Sequence, residues 1–286
     1  MKNFKERFGE IIFLISAAMS VILILLIIFF IFRSGIKFVS KYGLVPFITG
    51  SKWAPTAKPA SFGIFPMIVG SIIVTLVSTL IALPFGLAVS IYMAYYAGKS
   101  YGFLKSLINL MAAIPSVVYG FFAMVVLAPL IGKIFRAPQY NMLTASILLS
   151  IMILPTMVNI SENSLRQVPK TFYTGSLALG ATKEETIHQV MIPYAKSGIF
   201  SSIILAIGRA IGETMAVYLV IGNQPRMPGS ILEGARTLTT NIVLEMGYAS
   251  GMHRESLIAT GMVLFFFILI INILFNIIRD KNESKL

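Results

Sequence analysis

The chain has 286 residues, of which 57% are hydrophobic and only 12% charged, and its mean hydropathy is +0.86. These values exclude an ordinary water-soluble domain and indicate an integral membrane protein in a lipid bilayer. The net charge of +12 does not indicate a nucleic-acid partner, because the Lys and Arg residues fall in short stretches between apolar runs. There is no Cys, and His188 and His253 lack metal-ligand spacing, so neither a disulfide framework nor a metal site is expected.

Six apolar stretches are long enough to cross a hydrocarbon core of about 30 Å as helices. They predict an all-α membrane protein with six transmembrane helices. The first stretch is too long for a cleaved signal peptide and lacks an A-x-A cleavage site, so a retained span is expected. The predicted spans are Ile11–Phe32, Met67–Tyr96, Leu104–Ile131, Leu143–Ile160, Gly198–Gly222 and Leu257–Ile278.

An even number of spans puts both termini on one side of the membrane. Lys and Arg are almost evenly divided between the two faces, so the positive-inside rule does not decide the orientation. Acidic residues, Glu162 among them, are more numerous on the face with the termini, which is taken as cytoplasmic. The outer face, which includes Arg236 and Glu245, is then net positive. Its charges are either solvated loop charges or a vestibule that concentrates anions.

Two connections are long enough to form structure of their own. Ser34–Pro66 holds the only Trp, Trp53, in the proline-punctuated stretch PFITGSKWAPTAKP, which predicts an ordered loop packed on the spans. Ser161–Ser197 is polar enough to leave the membrane but helical in character. In it, Gly180 is placed to separate two short helices, and Thr182, as N-cap, precedes a Glu by three residues, as in a capping box. A helix–turn–helix on the membrane surface is predicted.

The same loop carries a spaced motif. Gly180 is followed by nine residues and then by Val190, Ile192 and Pro193. This spacing resembles the cytoplasmic coupling loop of ABC-importer permeases, EAA-x3-G-x9-I-x-L-P, although TGS stands here in place of EAA. The resemblance implies docking on an ATPase by shape and apolar contact, without the salt bridge that the family Glu would make. A generic amphipathic connector is the alternative. The candidate coupling residues are Gly180, Ala181, Thr182, Glu184, Val190, Ile192 and Pro193.

The fifth predicted span contains Arg209 and Glu213, four residues apart, in the stretch GRAIGETMAV. A charge at bilayer depth costs at least about 2.5 to 3.5 kcal/mol, so such a pair indicates a function. Together with PFITGSKWAP, FGIFPMIVGS and AAIPSVVYGFF, this stretch resembles the C-type permease subunits of phosphate-specific ABC importers. The resemblance covers about Lys41 to Ile278. It implies the six-span type I importer permease fold and a bacterial or archaeal cell membrane location, and it implies no cofactor. The implied partners are a homologous second permease, two copies of an ATPase, an extracytoplasmic phosphate-binding protein and inorganic phosphate.

On a continuous helix, positions i and i+4 share one face, so Arg209 and Glu213 are predicted to form an ion pair inside the bundle. Gly208 and Gly212 would let a neighbouring backbone approach that helix closely. The planar guanidinium matches phosphate oxygens, and Arg209 is therefore expected to contact the anion while Glu213 neutralises it in an empty path. Alternatively, the pair only fixes helix register or the contact with a second permease.

Further residues are candidates to line the path. Thr214 and Tyr218 follow the charged pair on the same predicted span, although polar side chains also serve helix–helix contacts. A proline inside a span frees a carbonyl and bends its helix, which suggests a path or a hinge and makes Pro115 with Ser116 a candidate lining. Prolines inside predicted spans are Pro84, Pro115 and Pro155.

No enzymatic site is predicted. The stretch AGKS at Ala97–Ser100 is similar to the end of a nucleotide-binding loop, but Met93 stands where that motif requires Gly. ATP hydrolysis must then come from a partner. The competing functions are a permease for another oxyanion, such as sulfate, molybdate or phosphonate, and a self-sufficient anion channel or secondary transporter. The latter would need its own coupling groups, and no inverted repeat is apparent.

The predicted organisation has three parts. Residues 1–66 form the first span and outer loop, and residues 67–279 form the permease core with its coupling loop at about 163–193. Residues 280–286 form a short cytoplasmic tail. The chain is thus expected to be a multi-pass membrane protein with cytoplasmic termini.

Overall fold

The computed structural model describes the backbone of residues 4–283 and the side chains of residues 8–275 and of Ile277. The side chains of the predicted tail, residues 280–286, lie outside this range. The described part contains twelve helices, a single 3-10 turn at Gly98–Ser100 and a hairpin of strands β1 (Trp53–Ala54) and β2 (Ser61–Phe62). The helices are α1 (Phe4–Tyr42), α2 (Leu44–Thr49), α3 (Phe65–Tyr95), α4 (Tyr101–Ala113), α5 (Ser116–Phe135), α6 (Met142–Gln167), α7 (Lys170–Ala178), α8 (Lys183–Tyr194), α9 (Lys196–Gly212), α10 (Met215–Val220), α11 (Leu238–Met246) and α12 (Gly251–Glu283).

Five of these helices, α1, α3, α5, α6 and α12, are long and apolar enough to cross a membrane by themselves. Helix α9, bent by 66° from α8 at their junction, is the candidate for a sixth crossing. The 17 residues of α9 extend about 26 Å, close to the thickness of the hydrocarbon core. The six-span prediction therefore agrees with the fold.

The third predicted span is wrong in detail. Helix α4 ends at Ala113, and Ile114 and Pro115 are extended, with ψ of 128° and 140°. Proline has no N–H to donate and disfavours helical geometry in the preceding residue, so Pro115 ends one helix and α5 begins after it. Pro84 and Pro155, in contrast, lie inside α3 and α6 as predicted.

The fifth predicted span is also interrupted. Helix α9 ends at Gly212, Glu213 is extended with φ −67° and ψ 131°, and α10 begins only at Met215. The Thr214 hydroxyl donates to the Gly212 carbonyl oxygen at 3.1 Å, a local bond that competes with helical pairing. Glycine is in addition a poor helix former. The apolar composition of the segment does not reveal this break.

The helices pack around three apolar clusters. The central cluster, with Leu148 and Ile153 of α6, lies between α3, α5, α6, α9 and α10. A second cluster around Phe38 and Trp53 joins the hairpin to α1, α11 and α12, and a third around Leu165 joins α6 to α8 at the opposite end. Of the apolar window in α6, 61% is buried, against 0% in α1. Helix α6 is thus central, whereas α1 is peripheral.

The predicted outer loop, Ser34–Pro66, is partly helical. Helix α1 continues to Tyr42, and Gly43, with φ +96°, makes the turn into α2, a conformation that glycine adopts without steric cost. Trp53 is buried in the hairpin, where it pairs with Phe62. The prediction of an ordered loop packed on the spans is confirmed for this part.

Candidate functional site

Arg209 lies in the last turn of α9 and is exposed. Its Nη1 donates to the Thr156 hydroxyl of α6 at 3.0 Å, and no salt bridge to it occurs among the described residues. The predicted ion pair inside the bundle is therefore wrong. Because the helix ends at Gly212, residue 213 does not continue the face on which residue 209 lies.

Glu213 is half-buried and is held at the break. Its Oε1 accepts the Ala216 N–H at 3.3 Å, and its backbone carbonyl accepts the Thr239 hydroxyl at 3.1 Å. The carboxylate thus bonds to the first turn of α10. Its predicted role in neutralising Arg209 has no contact to support it.

Apart from the hydrogen bond between Arg209 and Thr156, one face of α9 is unpacked within the part of the chain that the structure describes. Leu205, Gly208, Arg209 and Gly212 are spaced as one helical face, and each is exposed or half-buried. A Cβ added at Gly208 or Gly212 would meet no atom within 4 Å. The predicted close approach of a backbone to these glycines does not occur among the described residues, so this face is open to another molecule.

The two helix breaks lie near each other. Gly120 of α5 packs closely on α10, since a Cβ there would lie 2.9 Å from Ala216 Cα. Tyr119 bridges the break before α5 by donating its hydroxyl to the Met111 carbonyl at 2.9 Å. The structure therefore brings the α4–α5 break and the α9–α10 break to one side of the bundle.

The remaining predicted path residues belong to these breaks. Pro115 is exposed and Ser116 is half-buried at the start of α5. Thr214 lies in the α9–α10 break, and Tyr218 is half-buried in α10, where its carbonyl accepts from Asn223 Nδ2 at 2.8 Å. All four thus lie at or beside the two breaks, and among the described residues none of them accepts a hydrogen bond from Arg209.

Two contacts at this site were missed by the sequence analysis. Thr156, the acceptor for Arg209, directly follows Pro155 inside α6, and a polar residue next to an in-span proline is the signal that could have identified it. Thr239, which holds the Glu213 carbonyl, lies 26 positions away, and no local pattern indicates it.

The predicted helix–turn–helix is confirmed in the coupling loop. Gly180, with φ +91°, separates α7 from α8. The Glu185 carboxylate accepts the Thr182 N–H at 2.8 Å, and the Thr182 hydroxyl accepts the Glu185 N–H at 3.2 Å, which forms the capping box. The carboxylate also accepts the Thr182 hydroxyl at 2.9 Å, and the bonds that it accepts from the Thr182 N–H and hydroxyl hold the pKa of Glu185 below its ordinary value. Ala181 completes the turn by donating its N–H to the Ser176 carbonyl at 3.2 Å.

The start of α8 is attached to the end of α3. Lys183 Nζ lies 3.9 Å from the ring centroid of Tyr96, and the Tyr96 hydroxyl donates to Glu184 Oε1 at 3.4 Å. Glu184 therefore contacts this chain. A displacement of α8 would consequently act on the adjoining span.

The outward surface of the coupling loop differs from the prediction. Val190 and Ile192 pack against the apolar cluster around Leu165, so they are only half available to a partner. Leu179, directly before the glycine turn, is 91% exposed. It was not singled out from the sequence, although a leucine at a surface turn is the signal for it. Pro193 is exposed, as a docking residue must be.

Several charges assigned to loops are buried instead. Arg236 Nη1 lies 2.6 Å from Glu245 Oε1, and Glu245 Oε2 also accepts from Trp53 Nε1 at 2.9 Å and lies 2.8 Å from His253 Nε2. At the other end, Glu162 has a fully buried side chain. The prediction of solvated loop charges is wrong here, and Arg236 does not contribute a free charge to a vestibule.

Helix packing explains why Glu162 is not in a loop. Helix α6 continues to Gln167, beyond the predicted end of the span, and carries Glu162 against α4. The carboxylate forms salt bridges to Lys105 of α4, at 2.7 Å, and to Arg166 one turn further along α6. A buried charge is tolerated when opposite charges and hydrogen bonds compensate it.

Comparison with known proteins identifies the family. The family described as "Binding-protein-dependent transport system inner membrane component" matches residues 82–286. The probable ABC transporter permease protein YqgH of Bacillus subtilis (strain 168) is 40% identical over 240 residues, which are 80% of this chain and 77% of that protein. The probable phosphate transport system permease protein PstC of Methanocaldococcus jannaschii is 33% identical over 275 residues, 88% of this chain and 87% of that protein.

The fold itself is found in solved transporters. A chain from the crystal structure of a bacterial alginate ABC transporter, in complex with its pentasaccharide-bound periplasmic protein, superposes with a TM-score of 0.67. The match covers 96% of both chains at 14% sequence identity, so it supports the fold alone. The chain therefore belongs to the binding-protein-dependent transport system inner membrane components and has the fold of a type I ABC-importer permease, a multi-pass membrane subunit whose ATPase is a separate protein.

Proposed function

We propose that this chain is one of two homologous permease subunits that form the path of an ATP-driven phosphate importer. Two copies of an ATPase act on the coupling-loop side, where the termini also lie, and an extracytoplasmic binding protein delivers phosphate on the other. The proposal is carried by relatives named as phosphate transport permeases that are 28% to 33% identical over most of the chain. Permeases for sulfate, molybdate or phosphonate remain competing outcomes of the test below.

The chemistry of the breaks supports an anion path. The guanidinium of Arg209 is exposed and is bonded to a neutral hydroxyl, so its remaining N–H groups are free to bind an anion. A planar fork of donors that stays charged suits phosphate oxygens. Glu213 is engaged with α10 and does not compete for the cation. Pro115, Ser116, Thr214 and Tyr218 would complete this half of the path.

The other half of the path would come from the second permease. The open face of α9, with its two unoccupied glycines, allows a partner helix to approach closely. If that helix covers Leu205 and Gly212, Arg209 lies at the boundary between the subunits. An arginine in such a position can meet an anion that passes between them.

The coupling loop is the proposed contact with the ATPase. Phe172 on α7, Leu179 in the turn and Tyr194 on α8 expose apolar surface. The ring centroids of Phe172 and Tyr194 lie 4.8 Å apart. Since α8 is also joined to the end of α3 through Tyr96, movement of the ATPase would reach the span directly. Gly180 gives the turn its shape.

Reconstitution tests the whole proposal. Proteoliposomes that contain this chain alone should show no ATP-driven phosphate uptake, whereas addition of the second permease, the ATPase and the binding protein should restore it. Uptake of sulfate and molybdate by the same complex is the specificity control. Uptake by the lone chain would contradict the importer assignment, and preferred uptake of another oxyanion would contradict phosphate as substrate.

A further inference from the structure

The end of the first span carries a row of basic residues. After the apolar run Ile11–Phe32, about 33 Å long as a helix, α1 continues with Arg33, Lys37 and Lys41, spaced four residues apart. All three are exposed and lie along one side of the helix. The length of the apolar run puts them at the boundary between hydrocarbon and headgroups.

These cations are only partly compensated. Lys37 Nζ lies 2.7 Å from Glu255 Oε1 of α12, and the Arg33 guanidinium lies 6.0 Å from the Phe29 ring centroid. Among the described residues, neither Arg33 nor Lys41 forms a salt bridge. Three positive charges thus face one carboxylate, and the group carries an excess positive charge.

This positive group is remote from the proposed anion path. Helix α1 packs against α12 and α2, with Phe32 edge-on to Phe265 at 5.6 Å, whereas Arg209 lies where α9 meets α6. A role in concentrating the transported anion does not explain charges on the periphery of the bundle. The ligand must be sought on the membrane side of α1.

Two cavities along the seam between α1 and α12 are each lined by turns of α1 together with one residue of α12. The upper one, about 270 Å³, is lined by Phe30, Arg33, Ser34, Lys37 and Glu255. The lower one, about 280 Å³, has an entirely apolar lining that begins on the preceding turns of α1. Its lining residues are Ile24, Ile27, Ile28, Ile31, Phe32 and Phe265.

We propose that this seam binds an anionic phospholipid. The phosphodiester of its headgroup would contact Arg33, Ser34 and Lys37, with Lys41 adding long-range attraction, and one acyl chain would fill the apolar cavity below. Basic residues at the end of a transmembrane helix attract anionic lipids by about 1 kcal/mol each. The apolar cavity distinguishes a lipid from free phosphate, which has nothing to place there.

A larger cavity on the other flank of α1 serves as an internal comparison. It has a volume of about 670 Å³ and is lined by apolar side chains and Ser40, without a basic residue. Lipid tails can enter it, but it offers no charge to select a headgroup. Selectivity for anionic lipid is therefore expected at the cavity lined by Arg33 and Lys37 and not at this larger one, although α12 lines both.

The test uses the full chain purified in detergent and exposed to phosphatidylglycerol or phosphatidylcholine with identical acyl chains. Native mass spectrometry counts the bound lipids. The wild-type chain should retain phosphatidylglycerol preferentially. The double variant Arg33→Gln, Lys41→Gln keeps the Lys37–Glu255 salt bridge and should lose this preference by about fivefold for each charge removed.

Matched controls separate the alternatives. Lys52→Gln with Lys58→Gln removes two exposed lysines outside the lining and should leave the preference unchanged. Ile27→Trp, at an exposed position that lines the apolar cavity, should weaken retention of phosphatidylglycerol without unfolding the chain. The proposal would be overturned if both lipids were retained equally, if excess inorganic phosphate displaced phosphatidylglycerol, or if the Arg33/Lys41 variant kept the preference. It would also be overturned if the seam were covered by a second copy of the chain and held no lipid.

Discussion

Arg209 and Arg236 each have a glutamate nearby in the sequence, but the fold treats them in opposite ways. Arg236 is only 7% exposed and pairs with Glu245, nine residues away, at 2.6 Å. Arg209 is exposed and bonded to Thr156, although Glu213 follows it at helical spacing. The spacing i, i+4 produces a pair only where the helix is continuous, and α9 ends before residue 213.

The two arginines differ in what their charge can do: Arg236 is used in holding the fold together, whereas Arg209 is available to bind a ligand. Glu245 has three partners, and its carboxylate joins the hairpin, the segment before α11 and α12 through Trp53, Arg236 and His253. Such a group is fully used in holding the fold together. Arg209 has one neutral partner, so most of its hydrogen-bonding capacity remains for a ligand.

The largest effect should come from breaking the buried pair. Glu245→Ala leaves Arg236 buried without its counter-charge, and removal of one partner of a buried pair costs about 3 to 5 kcal/mol. The free energy of unfolding in detergent, measured by denaturant titration, should fall accordingly. Arg209→Ala is the matched control and should change it little, because that guanidinium is exposed.

A double variant sharpens this test. Arg236→Met with Glu245→Leu replaces the pair by apolar groups of similar volume, which is often neutral or stabilising. Recovery of most of the lost stability would confirm that the cost arises from an unpaired charge. A loss equal to that of the single variant would show instead that the network acts through Trp53 and His253.

The second largest effect is on transport. Arg209→Gln should lower phosphate uptake per assembled complex by roughly 10- to 100-fold, because a hydrogen bond to a charged group contributes about 1.5 to 3 kcal/mol. Arg209→Lys should restore part of it, since the ammonium lacks the planar fork. Assembly should remain normal, and Arg226→Gln in an exposed loop position serves as the control.

The contrary outcome is equally informative. Since no salt bridge joins Arg209 to Glu213, the double change Arg209→Gln, Glu213→Gln should behave like Arg209→Gln alone. Near-normal flux in either variant would end the proposal that Arg209 contacts the transported anion. It would favour the interpretation that the arginine only stabilises the contact with the second permease.

A third effect, of similar size but on assembly, is expected at the coupling loop. Leu179→Ala removes a side chain that is 91% exposed, so it should leave the stability of the chain unchanged. If the leucine is buried against the ATPase, its loss should weaken assembly by roughly 10- to 100-fold, since complete burial contributes about 1.5 to 3 kcal/mol. Binding of the purified ATPase to the reconstituted permease measures this.

Ile192→Ala provides the contrast. Ile192 packs against the cluster of Leu165 and Met191, so its truncation should lower stability as well as assembly. Equal ATPase binding by wild type and Leu179→Ala would place the docking surface elsewhere on α7 and α8. The exposed pair Phe172 and Tyr194 would then be the next candidate.

Local signals in the sequence predict local structure well in this protein. The apolar runs predict the spans, and Gly180 with Thr182 and Glu185 predicts the turn and the capping box, because each depends on residues close together in the chain. The breaks at Pro115 and Glu213 were not predicted. Distant elements decide whether a proline such as Pro115 bends a helix or ends it. They also decide whether the Glu213 carbonyl finds a hydrogen-bond donor such as Thr239.

The same limit applies to the charges. Burial of Glu162 depends on α4 lying against α6, and pairing of Arg236 depends on the position of α11, so neither follows from loop composition. Arg209 was identified as a candidate because a charge in an apolar run is conspicuous. The lack of a salt bridge between Arg209 and Glu213 was not predicted, since the break after Gly212 is not visible in the apolar pattern.

The smallest effect concerns a carboxylate that is exposed but locally bonded. Glu185 accepts the Thr182 N–H and hydroxyl, and these bonds lower its pKa. A depressed pKa means that the capping contribution is fully present above the pKa of the unfolded state and is lost as the pH falls through the lower pKa of the folded state. The protection factor for hydrogen exchange at the start of α8, which is corrected for the intrinsic pH dependence of exchange, should therefore be constant near neutrality and should fall only in acid.

The variant Glu185→Gln isolates this titration. Glutamine can still accept the Thr182 N–H but does not ionise in this range, so the acid-dependent loss of protection should disappear while the turn at Gly180 remains. Glu184→Gln alters a neighbouring carboxylate that contacts Tyr96 instead of the cap and should keep the wild-type pH profile. If Glu185→Gln keeps the acid-dependent loss, the charge of Glu185 does not hold the cap. The effect should be modest in every case because solvent screens this exposed carboxylate, in contrast to Glu245, whose charge is compensated only by its buried partners.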